Sequence, residues 1–143
     1  MLVNLLPKPK QGQVIHWCLV EQKLDYSQYA PDGFGTGDLV IVSDGILDVV
    51  DLKFGMMRVS ANENPQLKLY ALGALDMFGL LYDIESVRMT ICQPKLDSIS
   101  TFEISVDELM EWAETELKPK AALAFKGEGE FKSRITLSLL QSE

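Results

Sequence analysis

Two aspartates placed symmetrically about a turn are the residues of this chain that most directly indicate chemistry. Asp44-Gly45 lies between two β-type runs, residues 39–42 and 46–50, and Asp-Gly in that setting predicts a hairpin with a two-residue loop. Counting outward from this loop places Asp38 directly opposite Asp51. Like charges directly opposed across a ladder repel each other. A divalent cation held between the two carboxylates would turn that repulsion into a binding site.

A lysine and a backbone carbonyl complete the predicted site. Side chains alternate along a strand, so Lys53 shares the face of Asp51. The carbonyl of Leu52, between them, is a reasonable third oxygen ligand for Mg²⁺ or Mn²⁺. Phosphodiester hydrolysis needs an activated water, neutralisation of the phosphate charge and in-line positioning. A cation held by carboxylates, with a lysine beside it, meets those needs.

The helix predicted after the hairpin carries two further candidates. Asn64-Pro65 predicts its start, with Asn as the N-cap and Pro in the first turn, and Gly79 predicts its end. The helix is apolar on most sides, which indicates burial. Gln66 and Tyr70 stand out as polar groups four residues apart on one face. On the helix pattern alone, Tyr70 as a core residue and Gln66 as an ordinary first-turn residue remain the alternative.

The elements around this site predict an α/β (α+β) fold with a mixed central sheet and flanking helices. We expect one domain over residues 1–143, with a core at about 13–125 and a tail, 126–143, of unassigned order. The remaining elements are an extended segment at 13–26, a loop at 28–37, strands at 87–93 and 100–105, and a helix that starts at a Ser105–Glu108 capping box and ends before Pro119.

Composition narrows the classes of function. No apolar stretch reaches the roughly 18–20 residues of a membrane span, so we expect no membrane association and a cytoplasmic location. Cys18 and Cys92 lie in apolar runs and are predicted to be buried free thiols. His16 is the only histidine, which leaves little for a zinc site with several histidines or for a Ser-His-Asp triad.

Three motifs now stand in order along the chain. They are Gly35-Thr-Gly-Asp38, Asp51-Leu-Lys53 and Gln66-Leu-Lys-Leu-Tyr70. In this order the chain resembles the RecB-like branch of the PD-(D/E)XK nuclease superfamily, which carries G-x-x-D, (D/E)-x-K and Q-x-x-x-Y. The surrounding sequence is also similar to an uncharacterised family common in bacteriophages and prophages. The resemblance covers about residues 18–130.

The resemblance implies a restriction-endonuclease-like core and a metal-dependent nuclease. Asp38 and Asp51 would be metal ligands, Lys53 the catalytic lysine, and Gln66 and Tyr70 the groups that hold the lysine, a water on the metal or the DNA backbone. Exonuclease-like processing of DNA ends in phage recombination or replication, inside a bacterial host, is the activity it favours. Phage recombination or replication proteins are then candidate partners.

Two departures from the branch's pattern are visible in the sequence. Only about fifteen residues precede the first strand, where related chains have a helical region. Residues 127–131 also lack the cysteine cluster of many relatives, so no iron–sulfur cluster is expected. Glu21 is a candidate accessory acidic group, and an ordinary surface glutamate is the alternative.

Charge sets a condition on DNA binding. The net charge is −8 and the sequence pI is about 4.6, whereas nonspecific DNA binding depends on Lys and Arg. Lys68 and Arg58 are candidate DNA contacts, and a homo-oligomer with bound metal could build the channel that one copy lacks. The competing hypotheses are a non-catalytic DNA- or protein-binding module that keeps the nuclease fold, and a structural domain whose aspartates mark turns.

Overall fold

Five strands and three α-helices make up the part of the chain described by the computed structural model, residues 14–79 and 81–127. A 3₁₀ turn, Pro94–Leu96, separates β4 from β5, and a π-helical turn, Ala113–Leu117, separates the last two helices. The strands and helices are β1 Ile15–Asp25, β2 Phe34–Ser43, β3 Ile46–Leu52, α1 Pro65–Phe78, β4 Ser86–Gln93, β5 Ser98–Ser105, α2 Val106–Trp112 and α3 Lys118–Gly127. None of the helices described is both long and apolar enough to cross a membrane.

The strands form one mixed sheet in the order β1-β2-β3-β4-β5. β3 and β4 are parallel, and the other neighbouring pairs are antiparallel. Parallel neighbours need a crossover connection, and α1 is the helix in that connection. The predicted α+β class, with a mixed sheet and helices packed against it, is confirmed. The single-domain prediction also covers residues 1–13 and 128–143, including most of the predicted tail, which lie outside the described residues.

The β2–β3 hairpin has the predicted two-residue loop. Ser43 pairs with Ile46, and the ladder continues without a slip to Leu39 opposite Val50. Gly45 has a φ of +76°, a left-handed conformation that glycine adopts without a steric cost from a Cβ. The hairpin therefore fixes which residues of β2 and β3 face each other.

The core lies between the sheet and α1, which contacts β1, β2, β3 and β4. Asn64 caps the helix as predicted, because its side chain accepts a hydrogen bond from the Leu67 N–H. Gly79 is the C-cap, also as predicted. The buried core includes Val40, Val42, Leu47, Val49, Leu67, Leu72, Met89 and Ile91. A second, smaller cluster consists of Leu39, Ile41 and Val50.

Two predicted boundaries are wrong for identifiable reasons. Residues 28–37 were predicted as a loop, but β2 begins at Phe34, because β1 extends to Asp25 and pairs with it. The last helix was predicted to end before Pro119, but helical structure continues to Gly127. Proline lacks an N–H and its ring crowds the preceding turn of a helix, and here it lies just after the π-helical turn, near the start of α3.

The two cysteines have different environments. Both thiols are free, and Cys92 is buried as predicted. Cys18 is exposed, so its predicted burial is wrong. It lies on β1, which forms the edge of the described sheet, and an apolar run on an edge strand need not be covered on both sides.

A buried ion pair links β3 to β4 at the middle of the sheet. Arg88 Nε lies 2.6 Å from Asp48 Oδ1, and Arg88 Nη2 lies 3.1 Å from Asp48 Oδ2. Burial raises the pKa of Asp48, while the hydrogen bonds and charge of Arg88 oppose that rise. Asp48 is only 3% exposed, so its charge depends on Arg88 for compensation.

We expect Arg88→Met to destabilise the protein by about 3–5 kcal/mol, because it leaves the Asp48 carboxylate buried without its partner. The measurement is urea unfolding at neutral pH. Asp48→Leu combined with Arg88→Met should recover most of this loss, because a buried pair replaced by apolar groups is often close to neutral. Equal instability of the single and double variants would contradict this account.

Candidate metal and phosphodiester site

Asp38 and Asp51 meet at the end of the β2–β3 hairpin farthest from its turn. The last ladder pair is Leu39 with Val50, and one step further brings Asp38 opposite Asp51, as predicted. Asp38 Oδ2 accepts a hydrogen bond of 2.7 Å from the Leu52 N–H. The N–H and C=O of one strand residue point toward the same neighbour, so the Leu52 carbonyl is directed to the side of Asp38. The two carboxylates are neighbours, and the Leu52 carbonyl lies on the same side of β3 as Asp38.

The Asp51 carboxylate is the strained member of this group. Its side chain is 10% exposed, and Oδ2 accepts no hydrogen bond from the described part of the chain. Lys53 Nζ lies 2.9 Å from that oxygen, so charge balances it without an aligned hydrogen bond. Burial raises the pKa of Asp51, the neighbouring carboxylate of Asp38 adds to the rise, and Lys53 opposes it.

A line of side chains runs from this pair onto α1. Lys53 Nζ donates to Gln66 Oε1 at 3.1 Å, and Gln66 Nε2 donates to Tyr70 Oη at 3.0 Å. Burial raises the pKa of Tyr70, the hydrogen bond from Gln66 opposes the rise, and the charges of Asp51 and Asp38 add to it. The five predicted residues are therefore neighbours in one group. Tyr70 is not simply a core residue, because its hydroxyl fixes the amide of Gln66.

Gly35, the first residue of the first motif, lies against Tyr70, the last residue of the third motif. A Cβ built on Gly35 would lie 2.4 Å from Tyr70 Cε1, far inside van der Waals contact. The absence of a side chain lets the ring of Tyr70 pass next to the β2 backbone. Residues of the three motifs therefore contact one another: Gly35 contacts Tyr70, and Lys53 contacts Gln66.

Glu21 lies on β1 at the register position opposite Asp38, between the pairs Val20–Leu39 and Gln22–Gly37. Its φ is +53°, which breaks the alternation of the strand. Leu19 and Leu24 both pack on the main core, although their spacing would place them on opposite faces of a regular strand. The Glu21 side chain is exposed. Among the described residues no three His, Cys, Asp or Glu side chains gather as a metal-binding group, so Glu21 does not join the aspartate pair here.

The two candidate DNA contacts lie apart. Lys68 is two positions from Gln66, which puts it on the opposite side of α1. Its ammonium pairs with Glu63 and lies 5.0 Å from the ring centre of Trp112, in a cleft of about 290 Å³ that also has Glu108 on its wall. Lys68 is 4% exposed. The structure does not bring it to the aspartates.

Arg58 is exposed. Arg58 Nη1 donates to Ser98 Oγ at 3.3 Å. Ser98 pairs with Gln93 at the end of β4, which is the same end of the sheet as Lys53, since β3 and β4 are parallel. A role for Arg58 in DNA binding stays a prediction, and its position is compatible with it.

Gln93 is a residue that sequence reasoning missed. It is 1% exposed and holds the loop after Lys53. Its Nε2 donates to the Met57 carbonyl at 2.7 Å, and its Oε1 accepts from the Val59 N–H at 2.8 Å. The available signal was a glutamine at the end of a predicted strand, next to the apolar pair Ile91-Cys92, where a buried amide must find partners.

The donor set fits a hard divalent cation in kind. Mg²⁺ and Mn²⁺ prefer oxygen ligands, and Mg²⁺ commonly uses one or two carboxylates while keeping several waters. Asp38, Asp51 and the Leu52 carbonyl are such ligands, and the buried Asp51 Oδ2 without a hydrogen bond is the atom that would gain most from a cation. A ligand set with only two carboxylates leaves room for phosphate oxygens.

The fold and site together define an α+β protein with an opposed carboxylate pair and a lysine at one end of a mixed sheet. The chain belongs to a family described as a protein of unknown function (DUF2800), whose model matches residues 3–136. No solved structure matches the chain.

We expect Asp38→Asn to raise the free energy of unfolding in metal-free buffer by about 0.5–1 kcal/mol, because it removes one of two opposed charges.

The native protein holds the proton of Asp51 more tightly than the unfolded chain does. Wild-type stability should therefore fall as pH rises from 3.8, the ordinary value, through the raised pKa of Asp51. The fall should be smaller in the variant. Urea unfolding across this range tests both statements.

Two comparisons sharpen that measurement. Asp83→Asn removes a carboxylate that is exposed, whereas Asp38 is half-buried, and it should leave stability within about 0.5 kcal/mol. Added Mn²⁺ should stabilise the wild type, by an amount that grows with its concentration, and should stabilise Asp38→Asn much less. A destabilised, Mn²⁺-responsive Asp38→Asn protein would count against an opposed metal-binding pair.

We expect Gly35→Ala to cost about 1–3 kcal/mol, because its Cβ overlaps the ring of Tyr70. In a Tyr70→Ala background the same change should cost little, since the ring is absent. The measurement is the coupling energy from a double-mutant cycle by chemical unfolding. Gly55→Ala is the matched control, because a Cβ there meets nothing within 4 Å. Equal costs of Gly35→Ala in both backgrounds would show that the contact is not the cause.

Proposed function

We propose that this chain is a metal-dependent deoxyribonuclease of the PD-(D/E)XK superfamily, in its RecB-like branch. The observation that carries the proposal is the continuous group Asp38–Asp51–Lys53–Gln66–Tyr70, in which the nearly buried Asp51 carboxylate lies 2.9 Å from the Lys53 ammonium. A purely structural domain has no need to oppose two carboxylates and bury one of them. The order of the three motifs and the β-hairpin–helix arrangement support the same assignment.

Each residue of the group has a distinct role in this proposal. Asp38, Asp51 and the Leu52 carbonyl hold Mg²⁺ or Mn²⁺, which would polarise a water and neutralise charge on the scissile phosphate. Lys53 orients the attacking water and adds positive charge beside the phosphate. No iron–sulfur cluster enters this proposal.

Gln66 and Tyr70 act as positioning residues. Lys53 has a long, flexible side chain, and the acceptor Oε1 of Gln66 fixes its ammonium at 3.1 Å. The Gln66 amide is fixed in turn, because its donor end is engaged by Tyr70 Oη. A lysine held from both sides loses less conformational freedom when substrate binds, which is how positioning lowers a reaction barrier.

The net charge of −8 restricts where DNA can bind. Affinity for phosphate must come from a local surface and from the bound cation, because the average field of the chain repels a polyanion. A homo-oligomer would place several such surfaces around one DNA molecule. We infer processing of DNA ends in phage recombination or replication, in the cytoplasm of a bacterial host, from the resemblance to the RecB-like branch.

A non-catalytic DNA- or protein-binding module is the second candidate function. Its support is that Glu21 does not join the aspartates, so the described part of the chain supplies only two carboxylates to the site. A binding module would bind metal and DNA without hydrolysing a phosphodiester bond, and this outcome can be measured directly.

The first experiment is cleavage of end-labelled linear DNA with Mg²⁺ or Mn²⁺. We expect Lys53→Ala to lower the rate by at least about 100-fold, because a positioned acid–base group contributes about 10²–10⁴-fold. Lys118→Ala is the matched control: it also removes one ammonium and one ion pair, with Glu114 on an exposed helix surface. Its rate should equal that of the wild type, and EDTA should abolish cleavage.

Three outcomes separate the hypotheses. EDTA-sensitive cleavage lost only in Lys53→Ala supports the nuclease and its lysine together. Metal and DNA binding by a wild type that never cleaves assigns the chain to the binding module. Cleavage that persists in Lys53→Ala, or resists EDTA, rejects the proposed site and points to a contaminating enzyme.

A further inference from the structure

An exposed apolar loop directly follows the candidate catalytic lysine. This loop, residues 54–57, contains Phe54, Gly55, Met56 and Met57. Phe54 is 59% exposed, Met56 70% and Met57 84%. Three large apolar side chains side by side in water form a patch that marks a contact surface more often than isolated residues do.

The ends of the 54–57 loop are held firmly to the sheet. Lys53 N–H donates to the Cys92 carbonyl at 3.0 Å, and the buried amide of Gln93 bonds both the Met57 carbonyl and the Val59 N–H. Further along, the Ala61 N–H donates to Ser100 Oγ at 2.8 Å. Exposure of the loop is therefore a property of a fixed structure, and its apolar tip keeps its place relative to Lys53.

Cations flank the tip. Lys53 precedes it and Arg58 follows it, and no Asp or Glu occurs from residue 52 to residue 62. Lys53 is paired with Asp51, so the positive charge that this segment adds to the surface of a chain with net charge −8 is that of Arg58. Cations interleaved with aromatic and other apolar side chains are typical of surfaces that bind single-stranded nucleic acid.

We propose that the 54–57 loop receives unpaired bases of the DNA strand whose backbone lies at Asp38 and Asp51. This inference rests on the proposed function and adds a substrate preference: DNA ends with unpaired nucleotides over blunt duplex ends. Met57 lies four residues from Lys53, so the two are at most about 14 Å apart, a span of a few nucleotides. Phe54 supplies an aromatic face for a base, and the methionines supply adaptable, polarisable contacts.

A base occupies this loop better than a second copy of the chain does, on grounds of charge. A two-fold contact between loops would bring Arg58 toward the Arg58 of the other copy, whereas a phosphate beside a stacked base neutralises it. The loop is fixed next to Lys53. A base held there would therefore determine which phosphodiester bond lies at the site.

The test is binding of duplex DNA that carries 2-aminopurine in a short single-stranded overhang, measured in Ca²⁺ so that binding can be followed without turnover. The variants are Phe54→Ala and Met57→Ala. The matched control is Leu81→Ala, which also truncates an exposed side chain (72%) but lies after α1, at the end of the sheet near the β2–β3 turn.

We expect the two loop variants to bind the overhang DNA about 10-fold more weakly, to lose the 2-aminopurine fluorescence change, and to bind blunt duplex as the wild type does. Their dependence of affinity on salt should be unchanged, because no phosphate contact is lost. Arg58→Ala should instead reduce the salt slope by about one. Leu81→Ala should match the wild type in every measurement.

The outcomes distinguish this inference from the proposed function. Wild-type affinity and fluorescence in the loop variants overturn the inference, while EDTA-sensitive cleavage by the wild type leaves the nuclease in place. Loss of self-association in those variants, seen by sedimentation velocity without any change in DNA binding, assigns the loop to contact between copies and also overturns it. A wild type that binds no DNA rejects both.

Discussion

The register of the β2–β3 hairpin is the constraint on which the rest of this structure depends. A two-residue loop at Asp44-Gly45 fixes every pair along both strands, and the last step of that ladder brings Asp38 to Asp51. A slip of one residue would move one carboxylate to the other face of the sheet. The shapes of the two clusters resist such a slip, because it would exchange Val40 and Val42 of the main core with Leu39 and Ile41 of the second cluster. The packing energy of the core thus holds two like charges together.

The groups of the chain itself relieve this repulsion only in part. Lys53 supplies charge to Asp51, and the Leu52 N–H supplies a hydrogen bond to Asp38, yet burial and the neighbouring carboxylate of Asp38 still raise the pKa of Asp51. Fixed, incompletely satisfied groups at an otherwise well-packed site are the expected mark of function, because the fold tolerates their cost only where the surrounding structure compensates for it. Gln66 and Tyr70 extend that fixed arrangement onto α1, and Gly35 allows α1 to lie close enough.

Local sequence patterns were sufficient for the parts of the site that depend on short-range chemistry. Turn residues predicted the hairpin and its register, and Asn64-Pro65 predicted where α1 begins. The predictions that were wrong concern features that depend on contacts between residues distant in sequence. The exposure of Cys18 follows from the position of β1 at the edge of the described sheet. The helical structure continues past Pro119 after a π-helical turn, which no local sequence pattern predicted. The position of Lys68 could have been predicted from the sequence, because residues two apart on a helix lie on opposite sides of it, and Lys68 is two residues from Gln66. Gln93 could be recognised only once the loop it holds was seen.

The short stretch of chain that supplies the five residues of the group has a consequence for how the site assembles. All five side chains of the group come from the hairpin and the helix that follows it, between Asp38 and Tyr70, although the finished sheet also needs β4 and β5. Contacts between residues near in sequence cost less loop-closure entropy than those between distant ones. The hairpin and α1 therefore bring the two aspartates, Lys53, Gln66 and Tyr70 together through short-range contacts, and the later strands and helices pack around them. Sequence change in those later elements, from β5 onward, can alter how firmly the group is held while leaving its chemistry the same.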